Sequence, residues 1–191
     1  MRSIFIKAIT LIVLTFTFCL TTMGQKVKES SIQENGFFID IYGGGQVSGI
    51  RKEDYVTTNY TPYIQITGGK WFVPNIALAI GYQGPYFRFI GDKFRHEYTY
   101  LNGEVIVKPL KLLNINKSKI WDLHVNTGAG YFYNNHYHRP NICAHAGFVN
   151  EILLPKKVSI KLKISAIMGW DIYQGDEDIL PNIAIGLSKR F

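Results

Sequence analysis

From residue 36 onward, hydrophobic and polar residues alternate along most of the chain with the period of two that marks a strand. The clearest run lies over 158–172. Val158, Ile160, Leu162, Ile164, Ala166, Met168, Trp170 and Ile172 share one parity. Ser159, Lys161, Lys163, Ser165, Gly169 and Asp171 share the other, with Ile167 as the exception. Because successive strand side chains point to opposite faces, this segment has one oily and one polar side. The last segment repeats the pattern, with Ile183, Ile185, Leu187 and Phe191 set against Asn182, Ala184, Gly186, Ser188 and Arg190. Upstream, Trp121, Leu123, Val125, Ala129 and Tyr131 alternate with Asp122, His124, Asn126, Gly128 and Gly130. Over 99–107, Leu101, Val105 and Val107 alternate with Tyr100, Asn102 and Glu104. Similar, less regular segments near 36–46, 62–73, 76–89 and 141–153 bring the expected strands to eight.

The connections also alternate. Val73-Pro74-Asn75 and Leu154-Pro155-Lys156 read as tight turns, and Pro109 to Lys119 as a longer connection on the same side. Polar or aromatic stretches near 46–61, 84–95, 134–140 and 173–180 read as loops on the other side. Short turns on one rim and long loops on the other are the plan of a transmembrane barrel. The expected fold is therefore all-β, an eight-stranded antiparallel up-and-down transmembrane β-barrel over 36–191. A soluble, lipocalin-like periplasmic carrier has the same periodicity with the oily face turned inward. Aromatics near the strand ends favour oily-side-out: Phe37, Trp71, Phe72, Trp121 and Phe191 toward one rim, and Tyr82, Tyr131, Tyr133, Trp170 and Tyr173 toward the other. The polar face would place Asp40, Glu104, Glu151 and Asp171 in a narrow lumen with Lys161, Lys163 and Arg190, where opposite charges pair.

The N-terminus changes the picture by adding a compartment. Arg2 and Lys7 precede an apolar run from Ala8 to Leu20, followed by Thr21, Thr22 and Gly24. This is the layout of a cleaved secretory signal peptide over 1–24, with Gln25 as the mature N-terminus and 25–35 a short lead segment. The run is shorter than the roughly 20 residues of a membrane anchor, and bulky Phe18 before Cys19 does not suit a lipoprotein. Cys143 is then the one cysteine of the mature chain, so no intrachain disulfide is expected. Loss of Arg2 and Lys7 takes the formal net charge from +7 to +5. Export removes nucleic acid as a partner for that charge. Lys108, Lys111, Lys117, Lys119, Lys156 and Lys157 cluster in two turn regions, and Asp176, Glu177 and Asp178 share one loop, as solvated ends do.

Candidate chemistry is sparse. His136 and His138 lie two residues apart in a loop beside Arg139, and two imidazoles can begin a metal site, yet no cysteine or carboxylate at ligand spacing accompanies them. His124 and His145 are expected in lumen hydrogen-bond networks. A lipid A deacylase of the barrel type needs a His and a Ser together on the lipid-facing wall, and no His here has a Ser two residues away. The palmitoyltransferase type carries an amphipathic helix before its first strand, whereas Lys26 to Asn35 is short and polar. Gly43-Gly44-Gly45 lacks the spacing of a phosphate loop and suits strand curvature. No catalytic, cofactor-binding or metal-ligating residue is assigned, no cofactor is expected, and the protein is read as not an enzyme.

The segments Tyr100-Leu-Asn-Gly-Glu-Val-Ile-Val, Gly128-Ala-Gly-Tyr131 and Leu180-Pro-Asn-Ile-Ala-Ile-Gly-Leu-Ser-Lys-Arg-Phe191 resemble those of the OmpA/OmpX-type eight-stranded outer-membrane barrels. The resemblance implies residence in a bacterial outer membrane amid lipid and lipopolysaccharide. It also implies insertion by machinery that reads a final strand closing on Phe191. The chain stops at that strand, so no peptidoglycan-binding domain is expected. The implied role is structural or adhesin-like, by a monomer whose lumen is plugged rather than porin-like. Any extracellular ligand would meet the loops, where Tyr55, Asn59, Tyr60, Tyr86 to Phe89 and Tyr137 offer aromatic contact area.

Overall fold

Alternation becomes architecture in a computed structural model, which describes residues 36–48, 60–88, 95–113, 115, 118, 120–170, 172 and 177–191. The signal peptide and lead segment expected over 1–35 lie outside the described residues, as do Asp171, Tyr173, Tyr55, Asn59 and Phe89. The strands are β1 Gly36–Val47, β2 Tyr60–Val73, β3 Ile76–Arg88, β4 Arg95–Val107, β5 Trp121–Asn134, β6 Arg139–Leu154, β7 Val158–Trp170 and β8 Glu177–Arg190. Each pairs antiparallel with its neighbour in sequence, and β1 pairs with β8, which closes the barrel. Closure runs in register from Phe38 opposite Arg190 to Gln46 opposite Asn182. The expected fold class is thus the observed one.

The phase of each strand follows the sequence pattern. On β7, Ser159, Lys161, Lys163, Ser165 and Ile167 are buried in the barrel, while Ile160, Ile164 and Met168 face out. On β8, Ile183, Ile185 and Leu187 are each more than half exposed, while Asp178, Asn182, Ser188 and Arg190 are buried. Isoleucine outside and lysine inside is the reverse of a soluble carrier. The wall carries Ile39, Ile41, Ile64, Ile66, Leu78 and Ile80 exposed on β1 to β3 alone. A water-soluble monomer rarely shows a continuous apolar belt of this kind, whereas hydrocarbon accepts it and demands the paired backbone that closure supplies.

One rim, here the turn rim, carries the short connections. Pro74 and Asn75 join β2 to β3, and a three-residue turn, Pro155–Lys157, joins β6 to β7. The third connection, Lys108 to Ile120, holds a four-residue helix, α1 (Pro109–Leu112), with Pro109 in its first turn. The Lys108 amide donates to the Asn75 carbonyl at 2.9 Å, tying this segment to the neighbouring turn. Ser118 Oγ accepts from the amides of Ile120 and Trp121, at 3.3 and 3.1 Å, and so fixes the start of β5. The opposite, loop rim carries the remaining connections. They are shorter than the composition implied, because β3 runs on to Arg88, β4 begins at Arg95 and β8 begins at Glu177.

Four expectations about facing need correction. Trp71 is not a girdle residue; it is buried inside the barrel, while Phe72 and Val73 both face out. The pairing with β3 shifts register between Trp71 and Val73, and this bulge puts two consecutive residues on the wall. Ile172 is buried with Ile167 and Leu180 rather than outward, because the strand alternation ends at Trp170. Asp178 is buried on β8 rather than solvated in a loop. Tyr60, Tyr86 and Phe87 belong to strand ends rather than loops. The turn-rim girdle retains Phe37, Phe72 and Phe191, each more than half exposed, and Tyr131 faces out near the loop rim.

Inward glycines seat the larger rings of the lumen. Gly69 lies opposite Phe38, and Gly186 opposite Tyr42, in the β1 registers. A Cβ on Gly186 would run into the Tyr42 ring, and one on Gly69 into the Phe38 ring and the Leu78 carbonyl. The Gly186→Val substitution is therefore expected to displace Tyr42 and cost roughly 1–3 kcal/mol, read as an earlier urea midpoint in detergent micelles. An unchanged midpoint would refute this seating.

Candidate functional site

The lumen is where the chain concentrates its chemistry, and it is built in layers. At the turn rim, Phe38, Trp71, Ala77, Ala79 and Ile106 form an apolar floor. Interleaved with it lie, among the described residues, four buried carboxylates, Asp40, Glu104, Asp122 and Glu151, and four buried cations, Lys108, Lys161, Lys163 and Arg190, while a fifth buried carboxylate, Asp178, lies at the loop-rim end of β8. The equal numbers near the floor matter, since a lone charge at such a site costs several kcal/mol.

Glu151 on β6 is the centre. Arg190 Nη2 reaches its Oε2 at 2.5 Å, Ser159 Oγ donates to its Oε1 at 2.6 Å, and His124 Nε2 stands 3.1 Å from Oε2. Lys161 lies 3.8 Å from the same carboxylate but donates chiefly to Asp40 Oδ2 at 2.6 Å, which also accepts from the Tyr42 hydroxyl at 3.1 Å. The pairing expected between the polar faces of β1, β6, β7 and β8 is therefore present. Higher up, Glu104 Oε2 accepts from Asn126 Nδ2 at 2.7 Å, with His145 Nε2 at 3.2 Å and Lys163 at 3.9 Å. The Tyr100 hydroxyl is 2.9 Å from His145 Nδ1. A neutral imidazole satisfies both contacts by accepting the phenol proton at Nδ1 and donating from Nε2 to Glu104. His124 and His145 are thus lumen network residues, as expected.

Lys108, Asp122 and Trp71 were not expected together in this network. Lys108 enters the barrel end from the connection after β4, fully buried, with its ammonium 3.2 Å from Asp122 Oδ2 and 4.2 Å from the Trp71 ring centroid. Burial, reinforced by Arg190 nearby, pushes the Lys108 ammonium down to about 8. Lys111, from α1, adds a second contact to Asp122 at 3.5 Å. The Arg190 guanidinium lies 5.7 Å from the Trp71 ring centroid, so an indole in contact with two cations occupies the floor. A lysine in a turn-region cluster reads as solvated from sequence. The Lys108–Asn75 backbone bond holds it at the barrel end, where Asp122 and Trp71 meet its ammonium.

Above the charges lies a second aromatic layer of Tyr98, Tyr100, Phe132, Cys143, Ile167, Ile172 and Leu180. Tyr98 and Phe132 stack at 4.8 Å. The Tyr98 hydroxyl donates to Gln46 Oε1 at 2.8 Å, and Gln46 Nε2 donates to the Tyr86 carbonyl at 2.6 Å. Gln83 Nε2 completes the set, 3.1 Å from Gln46 Oε1. Nearby, the Tyr63 hydroxyl and Ser165 Oγ both donate to Asn182 Oδ1, at 2.9 and 2.5 Å.

Histidines and carboxylates that could ligate a metal gather at two places among the described residues. His136 and His138 take different partners. His136 packs edge-on against His96 at 4.4 Å between centroids, whereas His138 Nδ1 lies 3.2 Å from the Tyr133 hydroxyl. His96, unremarked in the sequence, is buried at the start of β4 and stacks on Tyr137 at 5.5 Å. Among the described residues, Asp122, His124 and Glu151 bring one ligand atom each within 4.8 Å of one another. Lys108 pairs with Asp122 and Arg190 with Glu151, so cationic side chains already engage both carboxylates of this group.

No protein-family model matches the chain, and no curated protein matches it. Solved structures do. Neisserial surface protein A is 6% identical with a TM-score of 0.58, over 82% of this chain and 97% of that one. The outer membrane enzyme PagL is 9% identical with a TM-score of 0.50, over 80% and 99%. Ail, the attachment invasion locus protein of Yersinia pestis, is 12% identical with a TM-score of 0.49, over 82% and 99%.

Breaking the network at its centre tests its energetics. Glu151→Gln leaves Arg190 and Lys161 short of a counter-charge and is expected to destabilise the barrel by about 3–5 kcal/mol. Replacing both partners, as E151L/R190L, should recover most of that loss in the same urea titration. A single variant as stable as wild type would refute the central role of Glu151. At identities this low the likenesses are ones of fold, and the chain has the closed eight-stranded architecture of small outer-membrane β-barrels.

Proposed function

We propose that this protein is an integral protein of the bacterial outer membrane, with a structural or surface-interaction role and a lumen closed to large solutes. The observation that carries the reading is the inversion of the barrel: an isoleucine-rich wall around an interior of paired charges roofed by aromatics. Such a wall needs hydrocarbon outside it. The turn rim faces the periplasm and the loop rim the exterior. Eight strands leave a bore that side chains fill, and here Tyr98, Tyr100 and Phe132 lie across it above the ion pairs.

Solute flow would have to break those pairs, which gives closure an energetic as well as a steric basis. Surface interaction belongs to the loop rim, where Tyr137 is 44% exposed beside His96 and His136. We read the protein as not an enzyme. The strand histidines His96, His124 and His145 are buried inside the barrel, away from a lipid substrate, and His136 and His138 sit in the β5–β6 loop.

Cell fractionation should place the protein in the outer membrane, with heat-modifiable mobility on gels. In planar bilayers, the purified barrel should give no large, stable single-channel steps, and lipid A incubated with it should keep its mass. Stable large steps would overturn the closed lumen, altered lipid A mass the non-enzymatic role, and an aqueous periplasmic fraction the membrane reading.

A further inference from the structure

The outer wall at the turn rim carries charge of one sign. Lys70 on β2, Lys156 and Lys157 in the β6–β7 turn, and Lys189 on β8 are all exposed, while Asp40, Asp122 and Glu151, the acidic side chains described at this end, are buried inside the barrel. The β1 registers set Phe37 beside Lys70 and Ile39 beside Lys189, so the two lysines flank β1 on the outer face. They stand two strand spacings apart, roughly 10 Å.

Neither lysine is free to wander. The Lys70 ammonium lies 5.1 Å from the Phe37 ring centroid and 5.5 Å from that of Phe72, which hold it against the wall. Lys189 Nζ donates to the Lys156 carbonyl at 2.7 Å, joining β8 to a turn whose residues 156 and 157 both have left-handed backbone, with φ of 62° and 59°. Directly toward the barrel middle, the same face is apolar, with Ile39, Ile41, Ile185 and Leu187 exposed. A basic ledge above an oily wall, edged by aromatic rings, matches a molecule with an anionic head and acyl tails.

We propose that this surface is a binding site for an acidic glycerophospholipid of the leaflet that meets the turn rim. Lys189, backed by Lys156 and Lys157, takes its phosphate diester, Lys70 adds attraction from across β1, and the β1–β8 wall takes its chains. The site rests on the outer-membrane reading above. Lipopolysaccharide also offers phosphate, but it occupies the leaflet at the loop rim and would not reach this ledge.

The test refolds the full barrel in nanodiscs of equal phosphatidylglycerol and phosphatidylcholine, then counts retained lipids by native mass spectrometry after transfer to detergent. Wild type should retain phosphatidylglycerol preferentially. K70Q/K189Q should lower that preference on the order of tenfold, while K70R/K189R keeps it, with heat-modifiable mobility confirming that each variant has inserted. An inserted wild type without preference, or a K70Q/K189Q barrel that keeps it, overturns the lipid site alone. In nanodiscs that add lipopolysaccharide to the same two lipids, lipopolysaccharide held in preference to phosphatidylglycerol and lost with K70Q/K189Q would overturn the leaflet assignment. A chain that never inserts shows no heat-modifiable band and overturns the membrane reading together with the site.

Discussion

The hydrogen-bonded seam between β1 and β8 is the constraint from which the other features follow. A sheet in hydrocarbon cannot leave an edge of unpaired amides and carbonyls, so the first strand must meet the last. Closure fixes which parity of every strand lies inside. It also makes the interior narrow, since eight strands enclose little more than their own side chains. Once the parity is set, Lys161, Lys163 and Arg190 are inside and need partners there, and Ile183, Ile185 and Leu187 are outside and need lipid.

The interior answers that demand by segregating its groups in height. Apolar rings make the floor and the roof, and opposite charges lie between them in equal number near the floor. Aromatic rings also line the cations directly: Trp71 near Lys108 and Arg190, Phe38 near Lys161, and Tyr42 near Lys163. Each ammonium or guanidinium thus exchanges water for a carboxylate on one side and a π-face on another. The wall and the lumen do different work with the same chemistry, since Lys70 rests on Phe37 and Phe72 outside as Lys108 rests on Trp71 inside.

Most of the barrel was legible in the sequence because alternation is a local signal that tertiary contacts seldom override. The strand number, their phases, the inward lysines and the network roles of His124 and His145 all followed from parity. What was not legible came from places where parity is interrupted. Trp71 keeps the inward parity of Tyr63, Gln65 and Thr67, and the bulge after it turns Val73 outward, a shift no count of twos could have located. Lys108 is placed at the barrel end by a backbone hydrogen bond to Asn75, a contact between residues more than thirty apart. His96 meets His136 only because β4 and β5 are neighbours at the loop rim. Ile167, an anomaly in the strand pattern, has its reason in the aromatic roof, where a polar residue would have no partner.

The strand origin of each ion pair bears on how the barrel assembles. Asp40 comes from β1 and meets Lys161 from β7, 121 residues later, while Glu151 on β6 meets Arg190 at the end of β8. Until the final strands arrive, Asp40 lacks Lys161 and Glu151 has only His124 of its contacts, so an incomplete sheet has a wet concave face. The last hairpin delivers the missing counter-ions and the missing backbone partners together. Neutralising the interior and sealing the wall therefore go together, and a sheet that stalls before its last hairpin leaves Asp40 without Lys161 and Glu151 without Lys161 and Arg190.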